Sequence, residues 1–142
     1  MFKVDHSQVK EFETIKAGEY EVIVHNYELK KAAQSGNNRV VVDYEIRSDV
    51  DQPCQGQKIL FDNFTVSDNS MWRFQAASKA AQFPDGIQFG SFKEWADAFL
   101  NKHLRLVIKL NNNGYAEVQS FKVSQASAPV ISTPINDSDV PF

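Results

Sequence analysis

Cysteine is almost missing from this chain: Cys54 is the only one in 142 residues. A single thiol excludes an intrachain disulfide and a cysteine-based zinc site. It also points to a reducing, cytosolic compartment. Histidine is scarce too. His6, His25 and His103 stand far apart, and no pair has the i, i+4 spacing that sets two ligands on one helical face. Gly-x-Ser-x-Gly, P-loop and Gly-x-Gly-x-x-Gly motifs are all lacking. No nucleophile–base pair, metal centre or cofactor is therefore expected, and the chain does not read as an enzyme. No apolar run approaches the ~20 residues that cross a bilayer. The start, Met1-Phe2-Lys3-Val4-Asp5-His6, lacks the apolar stretch of a signal peptide.

A strong excess of one charge is absent as well. There are 15 basic and 18 acidic residues, a net charge of −3. Simple nucleic-acid binders usually show a pI above about 9. The distribution softens that contrast. Residues 124–142 hold Asp137 and Asp139 and no Lys or Arg, so residues 1–123 are near neutral, with 15 basic against 16 acidic. A local basic groove fits within such a body.

The rest is ordinary globular material, 42% hydrophobic and 23% charged. The length suits one domain that buries about 68–70% of its unfolded surface. Three regions separate by composition. Residues 1–16 are polar and mixed in charge, an arm. Residues 17–123 carry the periodicity. Residues 124–142, rich in Ser, Pro and Ala and without a period, read as a flexible tail.

Within 17–123, alternation of period two predicts strands over 19–29, 39–47, 57–65, 103–111 and 115–123. Tyr20, Val22 and Val24 share one face of the first. Val40, Val42, Tyr44 and Ile46 share one face of the second. The period then changes: 71–81 is Ala-rich and helical in spacing, ended by Pro84-Asp85-Gly86. Ser91-Phe92-Lys93-Glu94 is a capping box opening a second short helix. Asn112-Asn113-Gly114 marks a hairpin between the last two strands. Three strands, a helical insert and two strands is the order of an OB-fold, a five-stranded Greek-key barrel. An SH3-like barrel is the competing architecture.

In an OB-fold the cleft crosses strands two and three, between the loops joining strands one-two and four-five. Lys30, Lys31, Arg39, Arg47, Lys58 and Lys109 group around that predicted cleft. Solvated strand faces carry such cations anyway, so the grouping rather than any one residue is the signal. Among 11 Phe, 4 Tyr and 2 Trp, most are core material. Tyr27 and Phe64 fall opposite the aliphatic rows and Tyr115 follows the last turn, so these three are the expected stacking residues. The chain ends Asp137-Ser138-Asp139-Val140-Pro141-Phe142. An aromatic ring beside acidic groups suits an apolar pocket rimmed by Lys or Arg.

Asp139-Val140-Pro141-Phe142 resembles the acidic tip of bacterial single-stranded DNA-binding proteins, which ends Asp-Asp-Asp-Ile-Pro-Phe. Val replaces Ile, and Ser138 interrupts the acidic run that Asp137 partly keeps. The body resembles a family of phage-encoded proteins of the same kind, on Ala17-Gly18-Glu19-Tyr20, Trp72-Arg73-Phe74 and Phe92-Lys93-Glu94-Trp95-Ala96. The resemblance implies sequence-tolerant binding of single-stranded DNA in phage replication and recombination, within the host cytoplasm. It implies recruitment of replication, recombination or repair proteins through Asp137, Asp139, Val140, Pro141 and Phe142. Self-association is left open. The acidic pI supports the alternative, an OB-fold interaction module that does not bind DNA.

Overall fold

The structure, a computed structural model, describes residues 3–4, 14–31 and 36–127. Five strands form one antiparallel sheet: β1 (Gly18–Lys30), β2 (Arg39–Ile46), β3 (Lys58–Thr65), β4 (His103–Leu110) and β5 (Ala116–Lys122). Their order in space is β3-β2-β1-β4-β5. Helices α1 (Met71–Ala80) and α2 (Phe92–Phe99) lie between β3 and β4 in the chain. Each expected strand and helix is present, with ends displaced by a residue or two.

β1 is the hinge of the sheet. Its first half, Gly18 to Ile23, pairs with β4, and the stretch from Val22 to Lys30 pairs with β2. The register slips between Val24 and Asn26, an extra residue that bends the strand. At that bend Val24 N donates to Lys102 O at 2.9 Å, and Asn101 N donates to Val24 O at 2.9 Å. The edge strands β3 and β5 curl towards each other. The Phe64 and Phe121 rings stack at 5.7 Å. The Arg73 guanidinium lies 4.7 Å from the centre of the first ring and 5.0 Å from the second. The sheet is thus open but strongly curved.

The concave side is the core. Tyr20, Val22, Val24, Val40, Val42, Tyr44, Ile46, Leu104, Leu106 and Ile108 are all buried there. The two helices close one end with Phe74, Ala77, Trp95, Ala96 and Phe99. Phe64 sits at their centre, 5.3 Å from both Phe74 and Trp95 and 6.2 Å from Phe99. Each such ring contributes roughly 1.5–3 kcal/mol by burial. Favourable ring pairs add about 0.5–1.5 kcal/mol each.

Local chemistry sets the element ends. Helix α1 stops at Gln82, in the left-handed region at φ +65. Phe83 N then donates to Ser78 O and Gln82 N to Lys79 O, both at 3.0 Å. This is a Schellman ending with Gln where Gly is usual, so the stop precedes Pro84-Asp85-Gly86. In α2 the Ser91 Oγ accepts from Glu94 N at 3.1 Å, while the Glu94 carboxylate accepts from Gly90 N at 2.8 Å. The β4–β5 turn closes with Gly114 N donating to Asn111 O at 2.9 Å, and Gly114 has φ +83. That φ is why glycine stands there.

The boundary expected at residue 124 moves outward. Ser124 Oγ and Gln125 N both donate to the Glu21 carboxylate, and Arg47 Nη2 donates to Ser127 O at 2.7 Å. Residues 124–127 are therefore docked on the sheet. The remainder of the expected tail, with Asp137, Asp139, Val140, Pro141 and Phe142, lies outside the described residues, as does most of the expected arm.

Candidate functional site

Asp43, at the middle of β2, organises the outer face. Two extra residues flank it, one on β1 at His25–Asn26 and one on β3 at Leu60–Phe61. An added residue reverses the side-chain parity of everything beyond it. On β3 this leaves Ile59 buried, turns Leu60 and Phe61 out, and turns Asp62 and Phe64 in. Phe61 adopts φ +62. A bulky side chain there costs about 1–2 kcal/mol. Its amide donates to Asp43 Oδ1 at 2.9 Å, and Asn63 Nδ2 donates to Phe61 O at 3.1 Å, which hold the bulge. The ring is left 70% exposed.

Phe61 is one wall of a cleft of about 210 Å³ between the edge strands. Leu60, Phe61 and Asn63 line it from β3, Ala116 to Val118 from β5, and Arg73 from α1. The chain neighbours of that lining include two more exposed rings, Trp72 at 60% and Tyr115 at 70%. Arg73 is held by three groups. Nη2 pairs with Asp62 Oδ1 at 2.9 Å, Nη1 donates to Asn63 O at 2.8 Å, and the plane covers Phe64 and Phe121. Burial pushes the Asp62 carboxyl above its ordinary value despite Arg73 and the Tyr44 hydroxyl, which donates to it at 2.6 Å. Burial, with Asp62 alongside, pushes the Tyr44 phenol well up.

The expected site residues divide. Tyr115 is exposed beside the cleft. Lys30, Lys31, Arg39, Lys58 and Lys109 are exposed. They do not form one basic groove, because acidic residues alternate with them. Lys58 faces Glu45, Lys109 faces Glu117, and Lys30 lies 3.8 Å from Glu28. Lys30 and Arg39 stand opposite one another at the far end of β1 and β2.

Three expectations are corrected. Phe64 is fully buried, not outward, because the Leu60–Phe61 bulge reverses its parity. Tyr27 is half-buried for the same reason, one bulge earlier on β1. Its hydroxyl donates to Asp97, which also holds Lys93 at 2.9 Å. Arg47 is 3% exposed. It grips Asp49 through Nε at 2.9 Å and Nη2 at 2.8 Å, and residue 127 through its carbonyl. These bonds tie the end of β2 to the segment after β5 and leave the guanidinium buried instead of displayed on the outer face.

Sequence reasoning overlooked Leu60, Phe61 and Arg73. One signal was present. In Lys58-Ile59-Leu60-Phe61-Asp62-Asn63-Phe64 neither alternating set is consistently apolar, which marks a bulged strand rather than a regular one.

Among the described residues no group of His, Cys, Asp or Glu is arranged to hold a metal, and no helix is long and apolar enough to cross a membrane. What remains is a small, mainly β module. It has an open five-stranded antiparallel sheet, two short helices at one end, and the exposed Phe61 ring in the cleft between its edge strands. The chain belongs to the family described as "Protein of unknown function (DUF669)", which matches residues 2–129. No curated protein matches it.

Proposed function

We propose that this protein binds single-stranded DNA without sequence preference, through an OB-type sheet left open between β3 and β5. The order of strands, the helical insert between β3 and β4, and the approach of β3 to β5 all agree with that barrel. The observation that carries the reading is Phe61. A large apolar ring is displayed to solvent at φ +62 in the β3–β5 cleft, and the exposed Tyr115 and Trp72 are chain neighbours of residues that line it. Strain of this kind persists where the surroundings enforce it, and it gathers at functional positions. Aromatic faces that stack on any base supply about 1–3 kcal/mol per base. The exposed cations supply phosphate attraction, limited by Glu28, Asp43 and Glu45 on the same face. Residues 137–142 serve as a docking peptide for replication, recombination or repair proteins. Phage replication and recombination in a host cytoplasm is the setting in which both activities belong, and no reaction is catalysed.

Titration of the full chain against fluorescent dT oligomers of several lengths, at two or more salt concentrations, tests this. Binding should strengthen with length and fall with salt, with a slope of about −0.7 per phosphate neutralised. The alternation of Glu28, Asp43 and Glu45 with the cations favours a second reading, a protein-interaction module. Absence of binding even at low salt would establish that module and remove the DNA-binding reading.

A further inference from the structure

A second concavity, sharing no lining residue with the β3–β5 cleft, lies among α1, α2 and the connection between them. It encloses about 760 Å³ and is lined by Met71, Phe74, Phe83, Ile87, Phe89 and Phe92, with Trp95 at its base. Its size falls in the range of built ligand sites, about 300–1,000 Å³. The polar groups at its base are already engaged, since Trp95 Nε1 donates to Ser78 Oγ at 2.8 Å and Ser78 Oγ donates to Phe74 O at 2.6 Å. The base of the groove therefore offers chiefly apolar contacts, with Gln75, Lys79, Asp85 and Ser91 supplying polar ones elsewhere in the lining. Ile87 is 50% exposed and waits for an apolar contact. The rim carries charge of both signs, with its cations and its acids at separate points. Lys79 lines it, and Lys102 Nζ lies 5.6 Å from the Phe83 ring. Asp85 opposes them, while Glu94 is turned to cap Gly90 N.

We infer that this groove receives the C-terminal segment of the same chain, with Val140 and Phe142 in the apolar trough and Asp137 and Asp139 at Lys79 and Lys102. The chemistry matches. Residues 128–142 include eight proline or larger apolar residues, two aspartates, and no Lys or Arg. The reach suffices. Fifteen residues follow Ser127, which Arg47 holds against the sheet, and that length spans up to about 50 Å when extended. A domain of this size has a radius of gyration of roughly 14 Å. Docking there sequesters the peptide from partner proteins while leaving the β3–β5 cleft open. This goes beyond DNA binding and holds whether or not the cleft takes a strand.

The test uses the full chain with Ser138→Cys carrying a nitroxide label, Cys54 being buried and left in place. Backbone amide signals report which residues the label approaches. Loss of intensity should fall on Lys79, Ile87, Phe89 and Gly90, and be independent of protein concentration. Asp137→Lys with Asp139→Lys should restore those signals. Adding Lys79→Glu and Lys102→Glu to that chain should bring the loss back. Intensity loss confined to the β3–β5 cleft, loss that grows with concentration, or none at all would overturn the inference. Titration with dT oligomers in parallel reports on the DNA-binding reading separately.

Discussion

Phe61 holds strain and display together in one side chain. Replacing it with glycine removes the left-handed penalty of about 1–2 kcal/mol, against a loss of about 0.5–1 kcal/mol from the freer unfolded chain. Its ring is largely exposed, so little burial is lost. Phe61→Gly should therefore fold with equal or greater stability, measured by urea denaturation. The same variant should lose about 1–3 kcal/mol of affinity for dT oligomers. A variant that is markedly unstable, or that binds as well as the parent, would show that the ring serves packing instead. Phe64 gives the opposite pattern. Phe64→Ala should cost about 3–5 kcal/mol of stability, because Phe74, Trp95 and Phe99 lose their common neighbour.

Helix α1 ends on a residue that fits its place poorly. Gln82 occupies the position where glycine is common, at φ +65, and the Schellman bonds from Gln82 and Phe83 fix it there. Gln82→Gly should raise stability by about 0.5–1 kcal/mol, seen as a higher midpoint in thermal melts. A lower midpoint would mean that the Gln82 side chain contributes more than its backbone costs. In α2 the Ser91 side chain satisfies one free amide, and Ser91→Ala should cost about 1 kcal/mol. Both measurements concern the walls of the 760 Å³ groove, so they also calibrate how firmly that groove is built.

The two ends of the sheet-forming segment are joined through Glu21. It is 2% exposed and accepts from Ser124, Gln125 and Arg105, linking the start of β1, β4 and the segment after β5. Burial pushes its carboxyl up, but those three donors outweigh burial and hold it below the ordinary 4.5. A depressed acid stabilises the fold above its unfolded value and stops doing so as pH falls through its folded value. Glu21→Gln should therefore lower the melting temperature at pH 7, with a gap that persists down to about 4.5 and shrinks below it. A gap that widened on acidification would reverse the assigned sign. Asp62 runs the other way, since burial raises it, so its share of the pH response favours the fold as pH falls.

What the sequence settled by itself was local. Period-two alternation located five strands, alanine-rich spacing located α1, and Ser91-x-x-Glu94 located α2, because backbone propensity and capping act within a few residues. The inward rows of β1 and β2 were legible for the same reason. The tertiary structure decided which way the rings at 27, 61 and 64 point. Two added residues flank Asp43, one on each neighbouring strand, and each reverses the faces beyond it. Such a slip is stabilised by pairing with another strand, so a single strand's pattern can hint at a bulge, as 58–64 does, without fixing where it falls. Burial of Arg47 was equally hidden, since its carbonyl partner lies 80 residues away at Ser127. The cleft between β3 and β5 belongs to neither strand. It exists because the sheet curls, and the curl arises from long-range packing of Phe64, Phe121 and Arg73.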